Sequence, residues 1–205
     1  MTGIHTGHYG ADLDNYSFAK LLSELCNIKK LERIRISSIE VTELDDAFLE
    51  VFKNNKIIVD HLHIPIQSGS DTILKLMNRK YDKEYFIKKI EKLRSIRPMM
   101  SITTDVIVGF PGETEELFEE TVDTINKIQF SKLHVFPFSL RKNTKAERLP
   151  NHVDERTKKD RCHKLIELSK KLEIEYWSKF LNQTVTFIPE IEKDGYLIGH
   201  TGNYL

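Results

Sequence analysis

The chain has 205 residues, with 31 Lys and Arg against 31 Asp and Glu, 40% hydrophobic and 30% charged residues. That balance excludes a tail held to nucleic acid by bulk charge, and the apolar share supplies one compact core, which excludes wholesale disorder. No apolar run approaches the roughly 18 residues a membrane helix needs, and the first ten residues lack a signal peptide's charged start, so the expected location is cytoplasmic with no membrane partner.

Cys26 and Cys162 are the two cysteines. They are too few for a disulfide framework and too scattered for a metal-binding pattern, so any metal chemistry is expected to come from outside this chain. Both ends read as cut: a glycine turn, TGIHTG, follows Met1 with no strand before it, and YLIGHTGNYL stops where β-structure is expected to continue. The expectation is a fragment of a longer protein.

The elements come in alternation. A helix over residues 16–26 places Phe18, Leu21, Leu22 and Leu25 along one face. Strands follow at 34–39 and 57–66, then a helix carrying Ile73, Leu74 and Leu76, with Asp71 expected to cap its free N–H groups. Residues 83–94 put Phe86, Ile87, Ile90 and Leu93 on one side of the next helix. A strand over 101–109 precedes a helix to 128, whose early acids Glu115, Glu116, Glu119 and Glu120 suit the positive end of the helix dipole. A strand over 132–139, a long helix over 154–180 and a β-like stretch at 184–189 complete the order. Alternating βα units predict a parallel sheet with outer helices.

Strand alternation divides the side chains. In residues 102–109, Ile102, Val106 and Val108 suit packing on helices, while Thr103, Asp105, Ile107 and Gly109 share the other face. In residues 61–67, His61, His63, Pro65 and Gln67 oppose Leu62, Ile64 and Ile66. Arg35 and Ser37 likewise oppose Ile34 and Ile36. Three strands with polar groups on one side predict a cavity there, because buried unpaired polar groups would cost roughly 1 to 3 kcal/mol each.

Ligands of parallel α/β folds bind beyond the carboxyl ends of the strands. Those ends read QSGSD at 67–71, GFPGET at 109–114 and FPFSLR at 136–141. The glycines are expected to admit a ligand to the backbone, Gln67, Ser68 and Asp105 to bind hydroxyl or amino groups, and Phe136 or Phe138 to stack on a planar base. That set suits a nucleoside. GFPGET lacks the Lys-Ser or Lys-Thr of a P-loop.

The segments IRISSIE, DHLHIPIQSGSD, ITTDVIVGFPGET and HVFPFSLRKNTKA, in this order, resemble the radical S-adenosylmethionine methylthiotransferases. TGIHTGHYG, RISSIE and HVFPFS look most like the branch that acts on threonylcarbamoyladenosine in tRNA. The tail resembles the first part of a TRAM domain, a small RNA-binding β-barrel. The resemblance implies a partial radical-SAM, TIM-like barrel over residues 1–180 and the beginning of a TRAM-like domain over 181–205.

It further implies S-adenosylmethionine across the strand ends. Ser38, Gln67 and Ser68 match positions near its ribose and methionine parts; Asp105, Ile107 and Gly109 match the strand whose apolar member packs on adenine. Val135, Phe136 and Phe138 match the last strand at the adenine edge, and Arg141, in the pattern SxRxxTxA, would face substrate. Asn143 replaces the glycine often found in that loop. No catalytic residue and no metal ligand is assigned. The family's CxxxCxxC loop is missing from this sequence, as is the domain holding a second cluster. In the intact enzyme one 4Fe–4S cluster would yield a deoxyadenosyl radical and the other would supply sulfur. This chain alone is expected to ligate neither and to be inactive.

Residues 141–171 hold 11 Lys and Arg against 5 acids, although the whole is neutral. The segment suits a phosphate backbone, and equally a solvated helix face with i, i+4 pairs such as Asp160 and Lys164. The pairs His5 with His8 and His61 with His63 are expected to be ordinary hydrogen-bonded histidines, and Trp177 to pack on the barrel or tail. The runner-up function is a non-catalytic RNA- or nucleoside-binding module, or a methylthiotransferase acting on isopentenyladenosine tRNA or a ribosomal protein. A barrel short of strands leaves an open edge, so self-association is expected.

Overall fold

The computed structural model describes residue 1 and residues 6–205. His5 lies outside the described residues. Four extended segments run parallel in chain order. Residues 34–38 join the second segment through bridges of Ile34 with Ile58 and Ser38 with His63. Strand β1 (His61–His63) pairs with β2 (Ser101–Val108), and β2 with β3 (Lys132–Pro137).

The ladder of the second segment is shorter than expected for a physical reason. Pro65 has no N–H to give, and Gln67 turns to a φ of 66°, yet the chain stays beside β2 through Ile64 N–H to the Thr103 carbonyl and Gln67 N–H to the Asp105 carbonyl. The apolar half of each strand is sealed: Ile34, Ile36, Leu62, Ile64, Ile66, Ile102, Val106 and Val108 are all buried.

Helices cover that apolar side. Helix α1 (Phe18–Cys26) is capped by Ser17, whose hydroxyl accepts from Lys20 N–H. Helix α2 (Asp46–Asn54) was not among the expected elements. Asp45 caps it, and Phe48 and Phe52 stack in series under Phe18 at ring separations of 6.2 and 5.8 Å. Helix α3 (Asp71–Leu76) corrects an expectation: Asp71 is its first residue, and its carboxylate accepts from Lys83 N–H instead, at the start of α4 (Lys83–Ile96). Helix α4 is capped by Asp82, and α5 (Glu115–Ile128) by Thr114, before Gln129 ends α5 in the left-handed region.

Helix α6 (Glu155–Ser178) starts on the Asp154 cap and lies along β3. Its Ser169 hydroxyl accepts from Leu133 N–H, giving the outer edge of β3 a partner. At the opposite edge the Arg35 carbonyl accepts from the Met1 amino group and the Ser38 carbonyl from the Thr6 hydroxyl. Such pairing blunts an edge against other chains.

The tail forms an antiparallel hairpin of β4 (Phe187–Lys193) and β5 (Tyr196–Thr201). Asp194 and Gly195, both at positive φ, make its two-residue turn. Arg33 donates to the carbonyls of Thr186 and His200, and Arg35 to that of Thr201, which fastens the hairpin to the amino-terminal end of the first parallel segment. Among the described residues no helix is long and apolar enough to cross a membrane.

Candidate functional site

The polar half of the sheet carries one connected hydrogen-bond chain. The Thr103 hydroxyl lies 3.2 Å from His61 Nε2 and 2.9 Å from His63 Nδ1, while His63 Nε2 lies 3.3 Å from Asp105 Oδ1. Asp105 accepts, so a neutral His63 carries its proton on Nε2 and takes the Thr103 hydroxyl proton at Nδ1. The Thr103 oxygen then accepts from His61 Nε2–H. That leaves His61 Nδ1 as a buried lone pair with no hydrogen-bond partner among the described residues.

Charge is unwelcome at the lower end of this chain. Burial first, then the nearby positive charge of Arg35 and the His63 and His134 rings, pull the His61 pKa from 6.5 to about 3. Burial and His63 also lower that of His134, whose ring centre is 5.6 Å from His63. His61 and His63 are thus the hydrogen-bonded histidines expected from sequence.

At the carboxyl ends of the strands lies a pocket of about 520 Å³ lined by Gln67, Asp105, Ile107, Phe136, Phe138 and Arg141, with Thr144 and Ala146 on its outer wall. The left-handed turn at Gln67, held by Ile107 N–H to the Gln67 carbonyl, sets that residue at the mouth instead of continuing the strand. Phe136 is 50% exposed and so has a free ring face. Phe138 meets Phe110 edge-on at 5.0 Å and lies 5.6 Å from the Lys158 ammonium. An apolar floor, an amide, a carboxylate, a free ring and a guanidinium make a set complementary to a nucleoside.

Six of the ten residues singled out from sequence line this pocket, and four do not. The Ser68 hydroxyl is buried 3.2 Å from that of Thr121 on α5, and also accepts from Ser70 N–H. Ser38 is bridged to His63 at the edge. Val135 alternates to the helix side and packs on the core. Gly109 is at φ 73°, its N–H given to Glu113, and a Cβ there would stand 2.3 Å from Lys158 Cγ. A Cβ on Gly69 would stand 2.6 Å from Thr124 Cβ. Gly69 and Gly109 at these strand ends therefore admit the close approach of α5 and α6.

Sequence reasoning missed the support behind the pocket. Glu113 is buried, and one carboxylate oxygen accepts from Gly109 N–H at 2.6 Å and from Arg161 at 2.9 Å, so α6 grips the loop after β2. Burial pushes the Glu113 pKa up, against the pull of those partners. The only signal in sequence was an acid four residues after a glycine. Trp177 is half-exposed on a second cavity, between α6, the strand starts and the tail, where Tyr204 also sits.

A family model described as the Radical SAM superfamily matches residues 2–125, and the chain belongs to that superfamily. It is 50% identical, over all of its own length and 47% of the relative's, to the threonylcarbamoyladenosine tRNA methylthiotransferase MtaB of Bacillus subtilis (strain 168). It is 40% identical to the tRNA-2-methylthio-N(6)-dimethylallyladenosine synthase of Thermoanaerobacter sp. (strain X514), over 93% of this chain and 41% of that one. The chain thus spans about half the length of these curated relatives or less. Among solved structures, coproporphyrinogen III oxidase (HemN) from Escherichia coli, a radical SAM enzyme, superposes with a TM-score of 0.57 at 22% identity. The superposition covers 68% of this chain and 32% of that one, a likeness of fold.

The donor sets answer differently for a nucleoside and for a metal cluster. The strand-end pocket offers groups that can bind a nucleoside. An iron–sulfur cluster is not fitted: Cys26 and Cys162 lie on different helices, burial raises both thiol pKa values, and no group of three His, Cys, Asp or Glu among the described residues is arranged to hold a metal.

Proposed function

We propose that this chain is the S-adenosylmethionine-binding part of a tRNA methylthiotransferase that modifies threonylcarbamoyladenosine, working in the cytoplasm. The observation that carries the reading is the pocket in which Gln67, Asp105, Phe136 and Arg141 converge at the carboxyl ends of parallel strands. The 50% identity to the Bacillus subtilis enzyme, against 40% to the dimethylallyladenosine synthase, favours threonylcarbamoyladenosine over the isopentenylated base.

The sheet order supports a partial barrel, residues 1–180. Four parallel segments follow one another without the reversal that a doubly wound sheet requires. The tail hairpin supports residues 181–205 as the opening of a TRAM-like β domain.

Within the pocket, Phe136 and Ile107 receive the adenine, Gln67 and Asp105 the ribose hydroxyls, and Arg141 the side from which substrate comes. Ser38, Ser68, Gly109 and Val135 then act from behind, through edge, turn and packing. The two 4Fe–4S clusters belong to the whole enzyme and find no ligands among the residues described here.

The test is nucleoside analysis of tRNA from a strain lacking the gene. Loss of the methylthio group from threonylcarbamoyladenosine, with methylthio-isopentenyladenosine retained, is expected. The opposite pattern transfers the assignment to the rival branch, and two unchanged nucleosides overturn the tRNA reading.

A further inference from the structure

We propose that the loop between β3 and α6, residues 141–148, is the phosphate-contacting rim that seats an RNA backbone beside the pocket, and that the ion-paired cations of α6 are not. The proposal rests on the reading of the pocket as the S-adenosylmethionine site of an enzyme acting on a tRNA base that arrives from the Arg141 side, and it adds where the polymer lies.

Of the seven basic residues that α6 contributes to residues 141–171, five have a carboxylate partner, while Arg156 and Lys159 are exposed with none among the described residues. On α6, Lys158 meets Glu155 at 2.7 Å, Arg161 meets Glu113 at 2.9 Å, Lys170 meets Glu167 at 2.9 Å, and Lys164 pairs with Glu119. Lys171 stands 3.9 Å from Glu175. These cations already have a carboxylate, so each phosphate would have to displace one. Such exchange releases little net charge attraction.

The loop is different. Arg141, Lys142, Lys145 and Arg148 are all exposed, and among the described residues none has a carboxylate within ion-pair distance. The carboxylate of Glu147, the one acid of the loop, accepts from Asn143 N–H at 2.6 Å. The Thr144 hydroxyl donates to the Arg141 carbonyl and accepts from Glu147 N–H, and Arg148 N–H returns to the Lys145 carbonyl. Four free cations thus stand on a braced turn, with Asn143 at its left-handed position.

Position completes the case. Arg141, Thr144 and Ala146 of this loop line the same pocket as Gln67 and Asp105. A base brought up to the Arg141 side of such a pocket leaves its flanking phosphates outside, because the charged backbone stays in water. Of the free cations Arg141 lines the pocket itself, and Lys142, Lys145 and Arg148 belong to the same short turn.

The experiment measures binding of a fluorescent RNA stem-loop to the full chain by anisotropy across a series of salt concentrations. The variant R141Q/K142Q/K145Q/R148Q is compared with K164Q/K170Q/K171Q, and with R141K/R148K, which keeps the charge. The rim variant is expected to bind at least tenfold more weakly at low salt. Its plot of log affinity against log salt is expected to flatten by about 0.7 for each phosphate that no longer meets a cation. The helix variant and the charge-retaining variant are expected to stay within twofold. A helix variant that weakens binding while the rim variant does not overturns the proposal and leaves the RNA reading standing. An unaltered chain that fails to bind the stem-loop at any salt overturns the RNA reading itself.

Discussion

The Tyr204 ring lies 4.9 Å from that of His61, nearly parallel to it, so the last residues of the chain roof the lower end of the polar face. The Arg35 guanidinium covers the same tyrosine at 4.7 Å. This roof is part of what buries His61 and holds its pKa near 3.

A pH dependence follows. Unfolded, His61 titrates near 6.5; folded, at about 3. Between those values the unfolded chain binds more protons, so stability is complete above pH 6.5 and falls as pH drops through the window, by up to ~1.4 kcal/mol per pH unit from this group. Urea midpoints measured from pH 7 to pH 4 are expected to fall for the unaltered chain and to fall less for His61→Gln. Tyr204→Ala, by reopening the ring to water, should also shallow the slope. Equal slopes in all three would remove His61 as the cause.

The ion pair of Arg161 with Glu113 joins α6 to the loop after β2, both side chains being buried. Arg161→Met leaves a buried carboxylate with one backbone N–H, a change that costs about 3 to 5 kcal/mol when a buried partner is removed. Glu113 already titrates above its ordinary value, and it would titrate higher still without the guanidinium. A raised carboxyl pKa favours the folded state in acid and penalises it as pH rises. The deficit of Arg161→Met, read from thermal melts, is therefore expected to be smaller near pH 5 than near pH 8, and Glu113→Gln in the same background should recover part of it.

Phe136 presents a half-exposed ring to the pocket, so its removal should change binding without changing the fold. Phe136→Ala is expected to weaken S-adenosylmethionine binding by titration calorimetry about fivefold, the effect of roughly 1 kcal/mol of stacking, with the melting temperature unmoved. A variant that melts earlier and binds as before would make Phe136 a packing residue.

Much of this protein is legible in its residues because strand alternation is local. Ile102, Val106 and Val108 read as the core side of β2, and they are buried there; Thr103 and Asp105 read as the polar side and join one hydrogen-bond chain. Helix α2 went unread even though Asp45, Phe48, Leu49 and Phe52 carry its cap and its apolar stripe, the same signals that marked α1. Ser68 and Gly109 have the chemistry of ligand residues, and their neighbours Thr121 and Lys158 come from helices more than 45 positions away in sequence.

The order of secondary structure, the polar side of each strand and the superfamily are properties of neighbouring residues, and the sequence by itself determined them. Which strand-end groups meet in the pocket, which cations keep a free charge and why His61 resists protonation were decided only in three dimensions. The physical reason is that burial and ion pairing depend on distance through space, and the partners that set them, Glu113, Glu119 and Tyr204, come from distant parts of the chain.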